Sequence, residues 1–134
     1  MAIGSPVYVY NFSVSEKNRY RDGKPYFSVR QHTVIGENDK RLVIDDSVFS
    51  TIEKVKDKNS WDTVIGVPRT HIYINDSIFG TGIRYTLYSY KKVKAKQIKE
   101  TINRAIKSKL KFFSTDIDLS VINDKVINDD LKSE

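Results

Sequence analysis

Between Ile83 and Phe113 the apolar residues stop recurring at every second position and begin recurring at every third or fourth. Ile83, Tyr85 and Leu87 alternate with Arg84, Thr86, Tyr88 and Tyr90, the pattern of a strand with one buried face. Ile98, Ile102, Ala105, Ile106 and Phe113 then fall along one side of a helix. A strand and a helix that each bury a single face must cover one another, so this segment commits the chain to a layered fold. The spacing predicts a strand over 83–91 and a helix over 94–113.

Other segments add strands. The run Val7-Tyr8-Val9-Tyr10-Asn11-Phe12-Ser13-Val14 is β-branched and aromatic, and Tyr8, Tyr10, Phe12 and Val14 share the face expected to be buried. A second strand is expected from Tyr26 to Ile35, after a polar connection ending in the turn dipeptide Asp22-Gly23. Gly36-Glu37-Asn38-Asp39 turns the chain into a short strand, Arg41 to Ile44. Asp45-Asp46 has the acids of a helix start, and Val48, Phe49, Ile52 and Val55 follow at helical spacing, with Ser50 and Glu53 at capping-box spacing. Trp61 to Val67, Thr70 to Asn75 and Ile117 to Val121 read as further strands.

At 134 residues this is one domain by size. The expected class is α+β: a mainly antiparallel sheet of about five to seven strands, with one short and one long amphipathic helix packed on one face. Residues 1–122 are expected to form that domain, and 123–134 an acidic polar tail.

Charge is the second constraint. The formal net charge is +6, and Lys91, Lys92, Lys94, Lys96, Lys99, Arg104, Lys107, Lys109 and Lys111 cluster against the single acid Glu100. Such a balance favours an anionic partner: nucleic acid, or an acidic protein surface. The absence of cysteine excludes disulfides and thiolate metal sites and fits a reducing compartment. No apolar run reaches the roughly 18–20 residues that span a bilayer, and Met1 to Pro6 lacks a signal-peptide pattern. A cytoplasmic location without membrane association is expected. Residue usage rich in Lys, Ile, Asn and Tyr reflects AT-rich codons, as in many bacteriophages, which would place the protein in the host cytoplasm or the virion.

Catalytic signatures are weak. His32-Thr33-Val34 and His71-Ile72-Tyr73 both lack the Ser or Thr two places after His that marks two-histidine phosphoesterases. The acids Asp45-Asp46, Asp116 with Asp118, and Asp129-Asp130 could serve a metal-dependent nuclease, but turn and cap roles already account for them. No nucleophile elbow or phosphate-cradling glycine loop occurs. No catalytic residue, metal or cofactor is therefore expected.

The expectation is a non-enzymatic binding or assembly protein of phage or viral type, holding nucleic acid without sequence specificity. Arg84, Tyr88, Tyr90 and Lys92 on the strand, Lys96, Arg104, Lys107 and Lys111 on the helix, and Arg19 and Arg21 in the first connection would form its anion-binding surface. The alternative is a viral structural or assembly component, or an inhibitor of a host protein. There, protein contacts would dominate, and the acidic tail of one copy could meet the basic face of the next in a homo-oligomer.

Overall fold

In the strand Pro6–Ser15 (β1), one side of the pleat carries Tyr8, Tyr10, Phe12 and Val14. The other side begins apolar, at Val7 and Val9, and becomes polar at Asn11, Ser13 and Ser15. That change along one strand sets the plan of the molecule: the first face is covered around Tyr10 and Phe12 and left exposed at Pro6 and Gln31, while the second is covered at the Val7–Val9 end. The structure is a computed structural model describing residues 3–15, 17, 19, 22–54, 69–76, 80–107 and 118–132. The expected strand at 61–67, the end of the expected long helix, Lys109, Lys111 and Arg21 lie outside the described residues.

The remaining elements are β2 (Tyr26–Glu37), β3 (Arg41–Ile44), β4 (Thr51–Glu53), β5 (Arg69–Asp76), β6 (Gly80–Ser89), α1 (Ala95–Lys107) and α2 (Asp124–Lys132). The strands form an antiparallel sheet in the order β4-β3-β2-β1-β6-β5, so the chain is an α+β domain. On the first face, Tyr10, Phe12, Phe27, Val29, Ile83, Tyr85 and Leu87 pack with Val93, Ala95, Ile98, Ile102, Ile122 and Ile127 from the helical segments. At one end of the second face, Val7 and Val9 pack with Val34, Leu42, Ile44 and Ile52. The register of β2 shifts between Val34 and Gly36, and this irregularity lets β3 and β4 curl over that end.

The expected helix after Asp45-Asp46 does not form; the chain makes a loop and the short strand β4 instead. Asp46 accepts hydrogen bonds from the Val48 and Ser50 amides, at 3.2 and 2.6 Å, and from the Ser50 hydroxyl. Asp45 accepts from the Thr33 amide at 2.7 Å. Carboxylates that bond nearby backbone compete directly with helix formation. Phe49 completes the turn at φ 50°, a left-handed conformation no helix contains. Among the described residues of the expected apolar stripe, Ile52 is buried while Val48 and Phe49 are exposed.

Within the acidic polar tail expected at 123–134, residues Asp124–Lys132 form a helix docked on the domain. Asn123 caps it by accepting from the Val126 amide at 2.9 Å. Ile122 and Ile127, one before the cap and one in the first turn, are both buried, a hydrophobic staple. Asp130 accepts from the Val29 amide at 2.9 Å, satisfying a β2 donor that points away from β1. The expected last strand is likewise absent over its described part: Ser120 and Val121 form a turn, with the Ile122 amide donating to the Leu119 carbonyl at 3.0 Å.

Candidate functional site

The cationic surface starts where β6 ends. From Lys91 to Lys96, lysines at 91, 92, 94 and 96 are exposed while Val93 and Ala95 are buried. Three contacts fix this knuckle. Ser89, fully buried, donates its hydroxyl to the Lys91 carbonyl at 2.7 Å and accepts from the Lys91 amide at 3.1 Å. The Val93 amide donates to the Tyr10 hydroxyl at 2.7 Å. The Ala95 amide donates to Asp124 Oδ1 at 3.0 Å. That last contact is a cap supplied from another element: α1 has no acid in its own first turn, and Asp124 places a carboxylate at its positive end. The backbone is thus pinned beneath four lysines whose side chains extend into solvent.

Along α1, Ile98, Thr101 and Ile102 face the core, and Lys96, Gln97, Glu100, Asn103 and Arg104 are exposed. Glu100 stands four residues from both Lys96 and Arg104, the spacing of helical neighbours, and moderates this stretch. Asp118, in the turn before α2, has its carboxyl held below the usual range by hydrogen bonds from Ser120, with nearby Lys99 adding to the effect. Among the described residues the knuckle gathers four exposed lysines beside Asp124, with Glu100 and Asp118 as acids farther along.

The sequence-predicted site residues do not form one patch. Lys92, Lys96 and Arg104 lie together on the helical side, and Lys107 is the last residue of α1. Arg84 alternates with the buried Ile83 and Tyr85 and is exposed on the opposite face of the sheet. Tyr88 and Tyr90 also face away from the helices, but both are half-buried and pack against the Val7–Ile52 cluster. Burial raises the Tyr90 phenol above its ordinary value, helped by Glu37. Their rings therefore serve as core instead of lining an open surface. Arg19 is exposed in the β1–β2 connection; Arg21 and Lys111 are outside the described residues.

Two residues on the second face were not singled out in the sequence: Tyr26, with 60% of its surface exposed, and Arg30, also exposed. Their signal was the alternation of Tyr26, Ser28 and Arg30 with buried Phe27 and Val29.

The two histidines do not meet. His32 on β2 pairs with Val7 in register, whereas His71 lies on β5 opposite Arg84, with β1 and β6 between them. His32 Nδ1 stands 3.7 Å from Asp45 Oδ1. Among the described residues no three His, Asp or Glu side chains group as metal ligands, and no helix is long and apolar enough to cross a membrane. A shallow depression of about 520 Å³ at the β2–β3 turn is lined by Asn38, Asp39, Lys40 and Arg41. The Asn38 side chain there is engaged by the Lys40 and Arg41 amides, both at 2.8 Å. No known protein family, curated protein or solved structure matches this chain.

Proposed function

We propose that this chain is a small non-catalytic binding protein that holds nucleic acid, without sequence specificity, through the cationic knuckle and the outer side of α1. The observation that carries this reading is the exposure of Lys91, Lys92, Lys94 and Lys96 above a backbone pinned by Ser89, Tyr10 and Asp124. Folding supplies the placement of these charges in advance, so binding need not order the backbone beneath them. Lysines act as point charges on phosphate and do not read bases in a fixed geometry, which favours an affinity that ignores sequence.

The test is fluorescence anisotropy with single- and double-stranded oligonucleotides across a salt series. Neutralising about four phosphates predicts a log–log slope near −3 to −4, or roughly a hundredfold loss between 50 and 200 mM salt. Lys92→Glu combined with Lys96→Glu should weaken both substrates and flatten the slope. Binding that ignores salt, or that survives this double reversal, would overturn the proposal.

A second reading, docking to a protein partner, draws on Val48 and Phe49, both exposed in the loop between β3 and β4. The version in which a free acidic tail reaches a neighbouring copy now requires α2 to leave the sheet edge it covers.

A further inference from the structure

The sheet face turned away from the helices is covered at one end and open at the other. Three strands change character at the same level. β1 passes from Val7 and Val9 to Asn11 and Ser13; β6, read backward, from Tyr88 to Thr86 and Arg84; β2, read backward, from Val34 to Arg30, Ser28 and Tyr26. The apolar end lies under β3 and β4. The polar end is exposed at Tyr26, Arg30 and Arg84 and half-exposed at Asn11, Ser13, Ser28 and Thr86.

Strand register arranges these residues in rows. Tyr26 pairs with Ser13, Ser13 with Arg84, and Arg84 with His71. In the next row Ser28 pairs with Asn11, Asn11 with Thr86, and Thr86 with Arg69. Arg30 pairs with Val9 at the border of the covered end. The floor is made of small side chains. Thr86 Oγ1 donates to Asn11 Oδ1 at 3.0 Å, which leaves the Asn11 amide nitrogen to donate to a ligand.

None of these positions carries an acid. The chain has seven arginines among its 23 cationic residues, yet Arg30, Arg69 and Arg84 all fall in these rows. A solvated sheet face explains polarity. It does not explain one sign of charge, a concentration of arginine in a lysine-rich chain, and an exposed aromatic ring together.

We infer that this open half-face is a single-strand site, in which Arg30 and Arg84 hold phosphates while an unpaired base stacks on Tyr26. Arginine suits the role because its planar fork binds phosphate in two-point fashion and can also stack. Rings set among cations on a sheet are a platform every base can use, since each presents a π-face. A duplex keeps its bases stacked internally and offers Tyr26 nothing. The inference rests on the reading above that the partner is nucleic acid. It adds a second surface, on the opposite side of the sheet from the lysine knuckle, that selects unpaired strands.

The two surfaces are separated by measuring each variant on a poly-dT oligonucleotide and on a duplex of equal length. Arg30→Ala with Arg84→Ala should lower single-strand affinity and reduce its salt slope by about 1.4, two contacts at roughly 0.7 each, with duplex binding unchanged. Tyr26→Ala should cost about fivefold or more on the single strand, and Tyr26→Phe, which keeps the ring, should cost little. All these side chains are exposed, so far-UV circular dichroism and the melting temperature should match wild type.

Equal losses on single strand and duplex would overturn the inference. So would a Tyr26→Ala variant that binds like wild type beside a weakened arginine pair, which would mark a merely cationic face suited to an acidic protein. If the sheet variants bind normally while Lys92→Glu/Lys96→Glu does not, this inference falls and the proposed function stands. If wild type binds neither oligonucleotide at low salt, both fall.

Discussion

The two faces of β1, β2 and β6 are built from the same strands, yet they are closed by different means. The first is covered by α1, α2 and the segments before them, which deliver Val93, Ala95, Ile98, Ile102, Ile122 and Ile127 onto aromatic and aliphatic strand residues. The second is covered at one end by its own sheet, curled over so that Leu42, Ile44 and Ile52 reach Val7 and Val9. The helical lid buries a long stretch of its face because each turn adds another contact, and Pro6 and Gln31 beyond it stay exposed. A curled hairpin buries only what its few residues span, and β4 has three residues. The polar half-face is what the hairpin is too short to reach. Among the described residues, Leu42, Ile44 and Ile52 supply the second cover, and the polar half-face lies beyond their reach.

The sharpest way to break this comparison is to cut one cavity on each side. Leu87→Ala removes a fully buried side chain under the helices and should cost about 3–5 kcal/mol in urea unfolding, a large share of a typical domain's stability. Ile52→Ala is as deeply buried but sits on a short outer strand that can settle inward, and should cost about 2–3 kcal/mol. Equal costs would mean that the hairpin is packed as rigidly as the helical side, contrary to the argument from its length.

Titration gives a finer probe of each side through one group apiece, a buried phenol under the helices and a loop carboxylate on the hairpin side, which respond at opposite ends of the pH scale. Under the helices, burial pushes the Tyr10 phenol from 10.0 up to about 12, despite the Val93 amide donating to it, and burial raises Tyr85 in the same direction. A raised folded value means the unfolded chain releases its proton first. The stabilisation is complete below pH 10 and is lost as pH climbs toward 12, by roughly 2–3 kcal/mol for Tyr10 alone.

On the hairpin side, Asp46 is held below its ordinary 3.8, chiefly by the Ser50 hydroxyl. Its contribution is present above the ordinary value and is lost as pH falls through the lowered one. Urea midpoints should therefore fall above pH 10 in wild type, whereas Asp46→Asn should remove only part of the acid-side loss. Stability that stays flat from pH 9 to 11 would contradict the burial of Tyr10.

Most of the sheet was legible in the sequence, because alternation survives wherever a strand buries one face. Arg41 to Ile44 is found where its pattern placed it, and Ile83, Tyr85 and Leu87 are buried as their period required. The failures have physical causes. Val48, Phe49 and Ile52 are spaced for a helix, but Asp46 spends its carboxylate on amides of the loop and Asp45 on the Thr33 amide of β2, and spacing alone cannot show that. The helix at 124–132 was written in the chain as Ile122, the cap Asn123, then Asp124 and Ile127; its acidity concealed these signals.

The candidate surface was legible in charge but not in geometry. Tyr88 and Arg84 share a face in sequence, yet whether that face is open depends on a hairpin more than 30 residues away. The cap that Asp124 gives α1 joins residues that no local pattern links.

The smallest expected effect concerns what holds the hairpin in its curled position. Phe49 sits at φ 50° with 64% of its surface exposed, so its ring contributes little burial while its Cβ is strained in the left-handed region. Phe49→Gly should relieve about 1–2 kcal/mol of that strain and forfeit roughly 0.5–1 kcal/mol through the freer unfolded chain. The net gain should be about 0.5–1 kcal/mol, read as a higher urea midpoint with an unchanged slope. If Asp46 sets the loop, as its bonds to Val48 and Ser50 indicate, the glycine variant keeps the second cluster closed. A lower midpoint would instead mean that the Phe49 ring anchors the hairpin, and that the cover over the second face depends on an aromatic contact beyond the Val7–Ile52 cluster.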